Sequence, residues 1–216
     1  MLSMSLARMG MLAAASAEAA APAVQEFPAL RGTVAVSSQA GGSTFSPAIP
    51  AHQAGDLILI FFSMEWNGSG QGWPSGWNSA GGGFNGTTFQ ISGYKYATGS
   101  GTTLTYVNNT GGQITAHVYV IKGTTSAPHQ LGFSQSGDPP SGSPSWGLAK
   151  NLWFFSVASN STTGSVPSGY TGTATSTRPL ARLVTGWRQR EAATENPGNT
   201  GATGDPAAGT YAVGPN

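Results

Sequence analysis

Residues 59–63 read Leu-Ile-Phe-Phe-Ser, and residues 152–156 read Leu-Trp-Phe-Phe-Ser. Eleven residues beyond each serine stands a Pro-Ser-Gly-aromatic turn: Pro74-Ser75-Gly76-Trp77 in the first case, Pro167-Ser168-Gly169-Tyr170 in the second. A single offset of 93 residues relates both pairs. At that offset Leu59, Phe61, Phe62, Ser63, Asn67, Pro74, Ser75, Gly76 and Gly93 fall on identical residues, from Leu152 to Gly186. Trp77 falls on Tyr170, Ile91 on Val184, Tyr94 on Trp187, Lys95 on Arg188 and Val120 on Val213. The same punctuation in the same register implies two copies of one structural unit.

Each copy opens with an apolar run, 57–64 and 152–158, bounded by Gly or Asn, which reads as a buried strand. A Gly/Ser/Thr-rich loop follows and ends in the Pro-Ser-Gly-aromatic turn. There proline presets φ, glycine permits positive φ, and the aromatic ring plugs the edge of the core. Second strands follow at 89–97 and 180–187. In the first copy 103–107 and 113–121 add two more, and 33–37 is a first strand. Residues 113–121 alternate, with Ile114, Ala116, Val118 and Val120 on one face and Thr115, His117, Tyr119 and Ile121 on the other. About eight such strands predict an all-β fold, an antiparallel jelly-roll-like β-sandwich of two pseudo-repeated halves, 31–123 and 124–216. A four-stranded sheet has a bare apolar face, and two of them can cover each other about 10 Å apart.

Composition agrees. Charged residues are 8% of the chain, against about 25% in an average soluble domain. Glycine is abundant, at 32 of 216 residues, while six Trp, six Tyr and nine Phe argue against disorder. The net charge is +1, with no basic run to attract nucleic acid. Cysteine is absent, which removes disulfides and Cys-based zinc sites. No apolar run is long enough for a membrane span. Residues 1–30 read as an N-terminal arm, partly helical, in which Leu2, Leu6 and Met9 recur at helical spacing. That face is too small to fold alone, so it is expected to anchor on another surface.

The order AGDLILIFF, WPSGW, YKYAT, TAHVYVIKG, then LWFFSVA, VPSGY, RQREAATENPG, GTYAVGP resembles a domain of uncharacterised proteins of tailed bacteriophages and prophages. The resemblance covers residues 31–216 and implies a virion location, as a tail, fibre or capsid-surface component. The loop around 67–83 is longer than that pattern would have it.

The candidates for chemistry are few. Glu65 could meet Glu191 or Glu195 in space, as a glycosidase needs of its carboxylates, but sequence does not place them together. Asp56 reads as turn chemistry in Ala-Gly-Asp. His52, His117 and His129 lie in separate segments. The chain is therefore read as non-enzymatic, without cofactor or metal. Trp66 and Trp73 lack aromatic counterparts, since Ser159 and Val166 occupy their positions in the second copy, so they are the candidates for a glycan or subunit contact. Arg178, Arg182, Arg188 and Arg190 form the candidate interface charge patch. The leading expectation is a structural virion protein that docks through Leu2, Leu6 and Met9 onto other virion proteins. It would act as a homo-oligomer, with a trimer as one arrangement. A receptor- or glycan-binding module that engages a host surface glycan is the alternative, and a secreted bacterial β-sandwich protein the third.

Overall fold

The computed structural model describes residues 25–68 and 72–216. The anchor residues Leu2, Leu6 and Met9 lie outside the described residues. The described chain is all-β: β1 (Ala29–Leu30), β2 (Ala35–Gln39), β3 (Thr44–Phe45), β4 (Leu57–Glu65), β5 (Asn78–Asn85), β6 (Thr88–Tyr96), β7 (Tyr106–Val107), β8 (Ile114–Lys122), β9 (His129–Ser134), β10 (Ala149–Ser159), β11 (Thr171–Thr175), β12 (Arg182–Ala192) and β13 (Ala207–Val213). Residues 29–30, the end of the expected arm, already belong to the sheet through their pairing with β8.

Two antiparallel sheets pack face to face. The first runs β1-β8-β4-β6-β5, with β2 also on β8, and the second runs β11-β12-β10-β13-β9. Read from β2, the first sheet is β2-β8-β4-β6-β5. Read from β9, the second is β9-β13-β10-β12-β11, so the strands take the same places in order of occurrence. The chain completes one sheet before it begins the other, so the strands do not wind between layers as the expected jelly roll would have them.

The central strands explain the apolar runs. Leu57, Leu59 and Phe61 of β4 face the other sheet and meet Leu152, Phe154, Leu183, Tyr211 and Val213. Ile58, Ile60, Phe62 and Met64 of the same strand face outward, under a cover that includes Phe45, Trp77, Leu104 and Tyr106. In the second sheet Phe155, Val157 and Val184 face outward under Val166, Tyr170 and Ala202. A strand buried on both faces reads as a continuous apolar run rather than an alternating one.

Both Pro-Ser-Gly-aromatic segments form the predicted turns. Trp77 N donates to Pro74 O at 3.1 Å and Tyr170 N to Pro167 O at 3.2 Å. Gly76 and Gly169 have φ of 79° and 81°, which a residue with a Cβ rarely adopts. The side chains of Lys95 and Arg188 lie beside the two glycines in the same way. Other parts of the offset do not survive. Gly93 pairs with Ile60, whereas Gly186 pairs with Phe155, a slide of two residues that keeps each side chain on its face. Val120 packs in the outer cluster of its sheet and Val213 between the sheets, so these two are not equivalent positions.

Six strands escape the sequence reading: the two-residue β1 and β3, and β5, β9, β11 and β13. β5 lies in the stretch read as a Gly-rich loop. Its glycines are there because the second sheet comes close. A Cβ at Gly83 would collide with the Phe133 ring, and one at Gly81 with the Gln130 side chain. The two-residue hairpin loop Gly86-Thr87, with Gly86 at φ 51°, returns the chain into β6.

Polar side chains tie the layers. Gln90 Nε2 donates to Tyr211 Oη at 2.9 Å, and Gln130 Nε2 reaches the same hydroxyl at 3.3 Å. His117, fully buried between the sheets, meets Thr185 Oγ1 through Nδ1 and Thr175 Oγ1 through Nε2, both at 2.8 Å. Tyr119 Oη is 2.5 Å from Thr185 Oγ1. Burial lowers the His117 pKa to about 3. The unfolded chain therefore binds the His117 proton from about pH 6.5 downward, while the folded chain refuses it. This contribution to stability is intact above pH 6.5 and is lost as pH falls toward 3. Urea denaturation is expected to show about 2 kcal/mol less stability at pH 5 than at pH 7.5 from this group. A His117→Gln variant should lose that slope; an unchanged slope would mean that other groups set it.

Candidate functional site

The two tryptophans without an aromatic counterpart are both partly buried, but one packs against the outer core of the first sheet and the other stands beside the exposed Phe84. Trp73 stacks on Phe62, with centroids 5.5 Å apart and planes at 16°, and on Trp77 at 6.2 Å and 24°. Tyr106 meets it edge-on at 5.4 Å. Its benzo ring rests on Gly93, where a Cβ would not fit. Trp73 thus fills the outer cover of the first sheet, and its indole is occupied by packing.

Trp66 leaves the end of β4 half-buried. It stacks on Phe84 at 5.8 Å and 22°, and lies against Phe89 at 4.6 Å and 41°. Phe84 is 53% exposed, a large value for a phenylalanine, and Phe84 and Phe89 are direct cross-strand partners. Three rings therefore form one platform at the free edge of the first sheet. Sequence reasoning missed Phe84 and Phe89. Phe89 stood at the start of the expected strand 89–97 without a functional role, and the Asn85-Gly86 pair beside Phe84 is the hairpin signal that could have raised Phe84 from loop to strand edge.

The four arginines do not form one patch. Arg188 and Arg190 share the outer face of β12, as alternate positions should. Both turn to one carboxylate. Arg188 holds Glu195 through both ends of its guanidinium, with Nε donating to Oε2 at 3.0 Å, and Arg190 Nη1 lies 3.8 Å from Oε2. The Arg188 guanidinium also lies 4.6 Å from the Tyr170 ring centroid. Glu195 is 2% exposed and is fixed by a pair of backbone bonds with Gly142. Burial, with the Glu195 charge adding to it, pushes the Tyr170 phenol well above its ordinary range. This cluster clamps the loop after β12. Arg182 pairs with Ser159 at the far end of the strand, six residues and about 20 Å away. Arg178 and Arg182 are half-buried, and neither Nε has a partner among the described residues.

The carboxylates do not converge. Asn160, just after β10, reaches Thr87 beside the end of β4, which sets Glu65 at that end of the sandwich. Glu191 is opposite Lys150 at the other end of β10. Asp56 does the turn work expected of it, accepting from Gln53 N at 2.8 Å, and Arg31 grips it through both oxygens at 2.6 and 3.0 Å. The histidines lie apart. His52 Nδ1 bonds Pro50 O at 2.8 Å and its Nε2 accepts from Thr102 N at 3.1 Å, while His129 sits beside the Trp146 ring. No protein-family model matches the chain, and neither curated proteins nor solved structures give a significant match.

Trp73→Ala is expected to cost about 3 kcal/mol of unfolding free energy, as loss of a packed ring does. Trp66→Ala should cost about 1 kcal/mol. Equal losses in guanidinium melts would refute this division of roles. Glu195→Ala should cost about 2 kcal/mol, because it leaves Arg188 partly buried without its carboxylate. A thermal melt within a degree of the parent would show that the clamp contributes nothing.

Proposed function

We propose that this chain is a non-enzymatic structural protein of a tailed-phage virion: a capsid-surface decoration, fibre or tail component. It docks at one end of the sandwich and projects the other. The observation that supports this most is the polarity of the domain. The described chain enters beside the place where it leaves: Gln25 lines the same hollow as Gly214, Pro215 and Asn216, together with Trp146 and Leu148. Leu148 is 66% exposed and Trp146 39%. This base is fastened tightly. Thr124 Oγ1 donates to Gly214 O at 2.7 Å, Gln189 Nε2 to Pro28 O at 2.8 Å, and the Lys150 ammonium lies over the Phe27 ring. β4 starts at this end and runs nine residues, about 30 Å, to the end that carries Trp66 and Phe84. An anchor that precedes residue 25 would thus join the base and leave the aromatic tip farthest from it.

The shared strand order and the two matching turns favour reading 31–123 and 124–216 as duplicated halves related by an approximate two-fold axis. Homo-oligomers, a trimer among them, are consistent with a projecting part of this shape. Location in the virion rests on the sequence resemblance, and the polarity of the domain gives it a mechanical sense.

A chain lacking residues 1–26 is expected to stay soluble, with the melting temperature of the full chain, and to be missing from purified particles by mass spectrometry. Incorporation at the normal level would refute docking through that segment.

A further inference from the structure

We propose that the outer face of the β5–β6 edge binds neutral carbohydrate, with Phe84 and Trp66 as the stacking platform. This goes beyond the assembly role and does not depend on it. A trough of about 330 Å³ lies here, lined by Ser79, Gly81, Gly82, Gly83, Phe89 and Ile91, with Gln130 reaching in from the other layer. That volume falls at the lower end of the range for small-ligand sites.

The floor is bare backbone for a structural reason. Gly81 and Gly83 point inward and are covered by Gln130 and Phe133, so the strand is held from behind. Gly82 faces outward opposite Ile91, at φ 154°, where a Cβ would strike the β6 backbone. Gln130 Oε1 accepts from Gly82 N at 3.0 Å, and Gln135 Nε2 donates to Phe84 O at 3.0 Å. The edge strand is therefore held in place and carries no side chain on its open face between Ser79 and Phe84, so a ligand can approach the backbone closely there. Aromatic rings stand at both ends. Phe84 and Phe89 with Trp66 close one end, and at the other Trp73 rests on Gly93, the partner of Ser79.

The chemistry of the lining selects the ligand class. Ring faces attract a surface of C–H groups, whereas the hydroxyl of Ser79 and the strand's peptide groups suit hydroxyls, with Gln130 held in the lining by its bonds to Gly82 N and Tyr211 Oη. A pyranose presents both on one molecule. No lining residue carries a charge, so an acidic sugar would find no counter-ion. A protein partner fits less well, since a stable interface needs about 800 Å² on each side, and the trough is much smaller than that.

The test uses the full chain, with isothermal titration calorimetry and tryptophan fluorescence against maltohexaose, cellohexaose, chitohexaose and mannohexaose, and sialyllactose as the charged comparison. At least one neutral oligosaccharide should bind with a Kd at or below about 1 mM. Phe84→Ala should weaken it at least about tenfold at an unchanged melting temperature, with Trp66→Ala acting in the same direction. Trp146→Ala, at the base, should leave binding as it is. Failure of all four neutral probes at about 10 mM, or binding indifferent to Phe84→Ala, overturns the proposal. Concentration-dependent self-association that Phe84→Ala abolishes, without carbohydrate binding, also overturns it and assigns the face to contact between copies.

Discussion

Everything in this fold follows from two strands that are apolar on both faces. β4 and β10 stand at the middle of their sheets, and neither can be satisfied by a single partner layer. Their inner faces meet in a cluster where Phe61 lies 5.9 Å from Phe154 and 5.1 Å from Tyr211. Their outer faces force the chain to spend its long connections on covers: Phe45, Trp73, Trp77 and Tyr106 over the first sheet, Val166, Tyr170 and Ala202 over the second. The Pro-Ser-Gly-aromatic turns are where each cover is nailed down. A loop that would be dispensable in a two-layer sandwich becomes part of the core here, because burying both strand faces removes more apolar surface from water than one layer could.

Packing of that kind is not directional, and the polar groups between the sheets supply direction. Gln90, Ser156, Gln130 and Tyr211 come from four strands and share hydrogen bonds that only one alignment of the layers permits. Burial raises the Tyr211 phenol to about 12, so it stays a neutral donor at any ordinary pH. His117 plays the corresponding part beside Thr175 and Thr185. A one-residue slip of β8 would carry Tyr119 and His117 to the outer face and break their bonds to Thr175 and Thr185. The interior thus combines a greasy half that drives association with a bonded half that selects the register.

The distal end is held in a different way. Asp205, at φ 46° before Pro206, accepts from Thr87 N at 3.2 Å and from Asn160 Nδ2 at 3.0 Å. It thereby joins a loop of the second sheet to the hairpin of the first, and leaves no room for a side chain at Gly86. Asn85 Nδ2 adds bonds to Pro206 O and Gln135 O. The aromatic platform of Trp66, Phe84 and Phe89 consequently rides on a braced hairpin. A braced platform can present ring faces at a free edge without the cost of ordering them on contact.

The central strands, the two turns, the alternation of β8 and the turn role of Asp56 were all legible in the sequence. Each is a local matter of hydrophobic period, proline and glycine. The class of fold followed, since strands of that length with bare faces have few ways to be covered. The sequence marked β5 only through the Asn85-Gly86 turn at its end, because its glycines lower strand propensity and make sense only once Phe133 and Gln130 press against them. Nor could it separate Trp66 from Trp73. The two lie seven residues apart in one loop, yet one lies over Gly93 and the other against Phe84 and Phe89, and that choice is made by which strand passes beneath. Arg188 and Arg190 were visible as a charged pair, but their common partner Glu195 was assigned by the path of a loop. What is local in the chain was written in its periodicities. What depends on contact between distant segments was decided by the packing of one sheet on the other, where shape and hydrogen bonding act together over distances the sequence does not encode.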